Sequence, residues 1–171
     1  MKYLQYLEAK KSKISGKGVF AKEKIKKGQT IYFFDGEEID LDELIKRCNQ
    51  GIEAPSDPLQ IDDEKYMDLD EFSRLFNHSC NPNAFIRGKN ELVALIDIEK
   101  GKEITYDYSA TMNDNEEKIK KAGRSLWTCE CNCKAETCRK IIDQFRKLPL
   151  KLQKVYLKNK FAAEHILKKY V

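Results

Sequence analysis

Three cysteines spaced Cys131-x-Cys133-x4-Cys138 put the tightest constraint on what this chain can become. Their meaning depends on the compartment. The stretch from Met1 to Lys11 is too charged for a secretory signal or membrane span and lacks the apolar run of either. The expectation is a chain that starts its life in the cytosol, with no membrane partner. Reducing conditions disfavour structural disulfides and turn clustered thiols into candidate metal ligands or catalytic groups. Three thiolates leave one corner of a tetrahedral zinc site open, so the fold must deliver a fourth ligand. Cys129 would share a face with Cys131 and Cys133 in an extended segment and is one local candidate. Cys48 reads differently. It lies on the apolar stripe Leu41, Leu44, Ile45, Cys48 of a short helix, opened by the capping-box pair Asp40 and Glu43 and closed by Gly51, and core packing accounts for it.

With 171 residues, 41% of them hydrophobic, the chain suits one domain able to bury a core. Short β-type runs alternate with glycine turns. Tyr3 to Leu7, Gly18 to Ala21, Thr30 to Phe34, Leu92 to Ile98 and Ile104 to Tyr108 are predicted strands, rich in β-branched and aromatic residues. Glu37 to Lys65, with Pro55 and Pro58, reads as an insert carrying the capped helix and then a loop. Asn113 to Lys121 reads as a solvated connector or helix. Beyond Cys138 the pattern is helical, with stripes Leu148, Leu152, Val155, Tyr156 and Ala163, Ile166, Leu167, Tyr170 separated at Lys158-Asn159-Lys160. From Arg139 onward ten Lys or Arg face only Asp143 and Glu164. A solvated helix face explains them; an acidic partner or nucleic acid is the sharper alternative.

Two blocks do not look like core. Asn77-His78-Ser79-Cys80-Asn81 and Glu103-Ile104-Thr105-Tyr106-Asp107-Tyr108 crowd amide, imidazole, thiol and phenol groups together, and such groups are buried only with partners. They read as a site. Strand alternation would put Tyr106 and Tyr108 on one face. With His78 and His165 the only histidines, and no nucleophile elbow, a Ser-His-Asp hydrolase is poorly supplied. Gly16-Lys17-Gly18 lacks the third glycine and the following helix of a dinucleotide fingerprint.

The two blocks resemble the signature motifs of the SET-domain protein-lysine methyltransferases. The likeness continues upstream in Ser15-Gly16-Lys17-Gly18-Val19-Phe20-Ala21 and downstream in Cys131-Asn132-Cys133-Lys134-Ala135-Glu136-Thr137-Cys138-Arg139, so it runs from about Ser12 to Arg139. The tail, with Leu148-Pro149 and Leu152 to Leu157, is similar to that of small bacterial-type members. The resemblance implies a mainly β SET domain, a β-clip of several small sheets with a knot-like crossing, which the tail helices make α+β by content. Its parts are a core over 12–110 with the insert at about 37–65, a linker and post-SET zinc motif over 111–140, and a helical cap over 141–171.

By the same resemblance the activity is methyl transfer from S-adenosylmethionine to a protein lysine. Tyr108 and Tyr106 are then the catalytic pair, and Gly16, Lys17, Gly18, Asn77, His78 and Tyr106 the cofactor contacts. Cys80 joins Cys131, Cys133 and Cys138 on zinc. The partner is a lysine-containing substrate, a histone or another basic protein, with nucleic acid not expected. The compartment is cytoplasmic, with the nucleus or delivery into a host cell left open. Tyr106 implies mainly monomethylation, and Tyr66 and Arg74 fall on the substrate side. Three departures stand out: Lys134 where glycine is usual, the extra thiol of Cys129, and Phe34-Asp35-Gly36-Glu37 in place of Tyr-x-Gly-Glu. A noncatalytic zinc and lysine-tail binding module, and a basic nucleic-acid-binding protein, are the rival readings.

Overall fold

Glycine turns cut the β-type runs too short for one broad sheet, and the described residues form four small antiparallel ones. The computed structural model describes residues 4–171. Strands β1 (Leu7–Lys11) and β2 (Lys17–Ala21) pair as a hairpin with Leu7 opposite Ala21. Strands β3 (Thr30–Phe33), β4 (Gly36–Asp40), β5 (Leu59–Asp62), β6 (Lys65–Leu69), β7 (Ala84–Arg87) and β8 (Glu91–Ala94) sort into two sheets, of order β3-β8-β7 and β4-β6-β5. The two-residue strands β9 (Cys129–Glu130) and β10 (Ile141–Ile142) close the cysteine segment. One apolar cluster joins the hairpin to the two larger sheets. Val19, Phe34, Phe76, Ile86, Leu92, Ile98 and Ile104 are fully buried in it.

Helix α1 (Leu41–Asn49) starts where the capping signal puts it, the Asp40 carboxylate accepting the Glu43 N–H at 2.8 Å. The connector before the cysteines contains helix α2 (Glu116–Lys121), capped by Asn115. The tail forms α3 (Leu150–Asn159) and α4 (Glu164–Tyr170), and the break falls at Lys160, whose φ of 57° is left-handed. Together they cover Ala110 and Phe145 in a second apolar cluster. Among the described residues no helix is long and apolar enough to cross a membrane.

Four expectations outside the two polar blocks need correction. Leu4 to Tyr6 form a 3-10 turn and the strand begins at Leu7, because its register is fixed by β2 (Tyr3 lies outside the described residues). The run Leu92 to Ile98 stops being a ladder at Ala94; the chain bends, Asp97 accepts the Lys27 N–H at 2.9 Å, and Ile98 pairs with Ile25 alone. The second half of the insert is a strand pair as well as a loop, since β5 and β6 complete a sheet with β4. Val155 faces solvent, and the buried members of its stripe are Leu148 and Tyr156.

Candidate active site

The predicted strand over Ile104 to Tyr108 is no ladder: single bridges pair Glu103 with Phe20 and Tyr106 with His78, and Tyr108 opens a 3-10 turn. Its backbone lies alongside the asparagine-histidine block. Ser79 N–H donates to Tyr106 O at 3.0 Å and Tyr106 N–H to Asn77 O at 3.3 Å, while the Asn83 side chain grips Glu103 O at 2.8 Å and Thr105 N–H at 2.9 Å. Peptide groups that a sheet would have paired are paired here by the other block, which brings the two polar stretches into one place.

Against this pair lies the glycine hairpin. The Asn77 amide nitrogen faces Ser15 O at 3.2 Å, Lys17 O at 3.0 Å and Glu103 Oε1 at 2.8 Å. A Cβ on Gly18 would stand 2.1 Å from Glu103 Oε1, so a side chain there would have to push the Glu103 carboxylate off its bonds to Ser12 and Asn77. At Gly16 conformation calls for glycine, with φ of 44°. Since the Asn77 donor is committed, Oδ1 is what the side chain has left for a ligand. A cavity of about 260 Å³ opens there, lined by Ser15, Asn77, His78, Tyr108 and Trp127.

Tyr108 also walls a second, narrower passage of about 50 Å³ with Tyr106, Phe76, Leu59 and Trp127. The two spaces meet at its ring. Its hydroxyl donates to Phe76 O at 2.7 Å, which fixes the proton inward and leaves the oxygen lone pairs for the passage. Burial pushes both phenols well above their ordinary pKa, so they stay neutral. The Tyr106 ring lies 4.8 Å from that of Tyr108 and 5.6 Å from Phe34, so Phe34 contributes apolar backing beneath the passage.

The sulfurs of Cys80, Cys131, Cys133 and Cys138 all lie within 4.8 Å of one another. A tetrahedral zinc site with bonds of about 2.3 Å needs sulfurs about 3.8 Å apart, and this donor set fits it. Cys80 and Cys131 already stand at 3.7 Å. Burial pushes the Cys80 thiol up to about 11. Burial also raises Cys133, but the N–H groups of Cys80 and Ala135, together with the Cys131 and Cys138 thiols, outweigh it and bring that thiol down to about 6. Cys129 is outside the group, its thiol directed at Glu130 O at 3.4 Å. Lys134 keeps the turn between ligands by adopting a left-handed φ of 56°.

His78 ties cluster to site. Its Nδ1 accepts the Tyr108 N–H at 3.2 Å, which assigns the ring proton to Nε2, and Nε2 faces Cys80 Sγ at 3.3 Å. Burial keeps the ring neutral, with its pKa pushed down to about 4 against the pull of Asp107. Asp107 is the other tie. It accepts Arg139 Nη2 at 2.7 Å, Ser109 N–H at 3.0 Å and the Tyr156 hydroxyl at 2.8 Å, so the post-cysteine arginine and α3 both anchor beside the tyrosines. The structural roles of Glu103, Asp107, Arg139 and Trp127 were not marked by sequence patterning. Their partners lie far along the chain, and only the placing of Glu103 and Asp107 inside the tyrosine block hinted at them. Tyr66 is buried with its hydroxyl on Asp114 at 2.6 Å, and Arg74 stands at the passage mouth against Asp57 at 3.2 Å.

Small sheets with a glycine hairpin, two crossed polar blocks and a thiol cluster define a SET fold. Residues 16–109 match the family model described as SET domain, and the chain belongs to that family. It is 33% identical over 153 residues to the variant-silencing SET domain-containing protein of Plasmodium falciparum (isolate 3D7), covering 80% of this chain and 6% of that protein. It is 30% identical over 145 residues to histone-lysine N-methyltransferase 2B of Homo sapiens, covering 78% and 5%. The chain thus spans only a small part of these relatives' length. Among solved structures, a humanized mutant of the Chaetomium thermophilum Polycomb Repressive Complex 2 bound to the inhibitor GSK126 shares the fold, with a TM-score of 0.55 at 22% identity over 61% of this chain and 15% of that one.

Proposed function

We propose that the protein is an S-adenosylmethionine-dependent protein-lysine N-methyltransferase acting on a basic protein, and that it adds mainly one methyl group. The observation that carries this reading is the meeting of two spaces at Tyr108, one wide enough for a cofactor and one narrow enough for a single side chain. When bound, the donor supplies a sulfonium methyl, and its sulfur leaves as a thioether when the lysine nitrogen takes that methyl. The protein's own task is alignment along one axis. Asn77 Oδ1 and the hairpin backbone at Ser15 and Gly16 hold the donor side. The Tyr106 and Tyr108 rings exclude water and press the lysine toward its neutral form, since a desolvated amine loses its proton more readily. The Tyr108 oxygen presents its negative end to the polarised methyl. A Tyr106 hydroxyl in the passage opposes the extra volume that a second transfer demands, which is why one methyl is expected.

Transfer of tritiated methyl from S-adenosylmethionine to a panel of basic proteins, followed by identification of the modified residue, tests the reading. Label on lysine is the expected result. No label on any basic protein, with the cofactor bound and the fold intact, would leave a noncatalytic binding module as the better account.

A further inference from the structure

Between α1 and residues 124–128 lies a second large cavity, of about 290 Å³. It is far larger than the voids of a packed core. It also adjoins the narrow passage, for Pro55, Pro58, Met112 and Trp127 line both. The face α1 turns to it is apolar: Leu41, Leu44, Ile45 and Cys48. Gln60, Tyr66, Asp114 and Arg124 in its wall are already engaged. Asp114 accepts the Tyr66 hydroxyl at 2.6 Å and Gln144 Nε2 at 2.8 Å, and Arg124 donates to Asn49 at 2.6 Å. A charged occupant would have to break these bonds, so the cavity offers its ligand apolar surface.

Charge indicates what carries that ligand. Residues 35–71 hold 14 of the chain's 28 acidic residues against 3 basic ones, a net −11, while the rest of the chain carries +15. Glu53, Asp57 and Asp68 surround the Arg74 guanidinium at the passage mouth, Asp68 sharing a second one, that of Arg47, at 2.9 Å, and Glu53 Oε1 is buried there without a hydrogen-bond partner. The negative excess of residues 35–71, which include α1 and the residues at the passage mouth, attracts a positively charged chain.

We infer that the methyl acceptor is a Lys/Arg-rich segment with a leucine-, methionine- or phenylalanine-sized side chain near its target lysine, and that the cavity behind α1 seats this side chain. The inference rests on the reading of the Tyr108 passage as the lysine entrance. A segment whose lysine enters that passage crosses Pro55 and Trp127, and its near neighbours then stand over the cavity.

The test uses a panel of fluorescent peptides, each with one lysine flanked by arginines and with Leu, Ala or Glu scanned through the neighbouring positions. Binding is read by anisotropy and methylation by mass. Leu at one position is expected to improve both binding and kcat/KM about tenfold or more over Ala, as burial of such a side chain allows. Replacing the arginines with glutamates should abolish binding. Cys48→Trp, which fills the cavity, should collapse the Leu-to-Ala ratio toward one, with a thermal melt to verify the fold. A wild-type protein indifferent to the neighbour, or a Cys48→Trp variant with its preference intact, overturns the inference. So does a Cys48→Trp variant that splits a dimer while keeping that preference, which would assign the cavity to a second copy. Because binding is read separately, peptide preference without methylation defeats the methyltransferase reading alone, and methylation without preference defeats this inference alone.

Discussion

At the scale of single residues, burial and hydrogen bonding set the chemistry of the site, and two substitutions expose this. Tyr106 is buried against Tyr108 and lines the passage. Tyr106→Phe should therefore shift products from monomethyl toward dimethyl-lysine; a tenfold change needs only about 1.4 kcal/mol. Intact-mass analysis at long reaction times reads the outcome, and trimethyl product from the unmodified protein would contradict the monomethyl assignment. Glu53 is the second case. Burial, reinforced by the neighbouring Asp68 carboxyl, lifts its pKa from 4.5 to about 7. The fold thus favours its protonated form, and the stability it contributes is full below about pH 4.5 and lost as pH rises through 7. Thermal melts at pH 5 and pH 8 should show Glu53→Gln losing less stability than wild type across that interval. Parallel pH profiles would mean that Arg74 compensates the charge completely.

At the scale of elements, local signals were legible where local chemistry decides. The cap at Asp40, the glycine turns, the break at Lys160 and the hairpin at Gly16 to Gly18 could each be read from a few adjacent residues. Elements fixed by distant partners could not. The stretch 103–108 has the composition of a strand, yet Asn77, Asn83 and Ser79 take its peptide groups from two dozen residues away. The pair β5 and β6 was hidden because Pro55 and Pro58 give its approach a loop composition. The acidic excess over 35–71 can be counted in the sequence, but the gathering of Glu53, Asp57 and Asp68 round Arg74 at the passage cannot. In the cysteine segment, Lys134 holds a left-handed φ that costs a non-glycine residue about 1–2 kcal/mol. Allowing for the greater freedom of unfolded glycine, Lys134→Gly should stabilise the protein by roughly 0.5–1 kcal/mol in denaturant titration. A loss of stability would show that the lysine side chain makes up for the strain. The sulfur geometry makes a further distinction. Zinc analysis should find one ion per chain, lost in Cys80→Ser and retained in Cys129→Ser. The reverse result would replace the long-range site with a local one.

At the scale of the whole molecule, the cysteine cluster and the tail helices are fastened to the two polar blocks at two points. His78 connects the Tyr108 backbone to Cys80, and Asp107 connects Arg139 and Tyr156. A metal bound at the four thiols would, on this arrangement, contribute to the stability of the site as well as of the tail. The central claim remains that the Tyr108 phenol stands between donor and acceptor. Its most direct test is Tyr108→Phe, with S-adenosylmethionine binding measured by calorimetry beside the rate of methyl transfer. Loss of the bond to Phe76 O should cost about 1 kcal/mol of stability, a modest fall. Binding of the cofactor should stay within a factor of two while transfer falls on the order of 10²-fold or more. Transfer within a factor of two of wild type would contradict the claim.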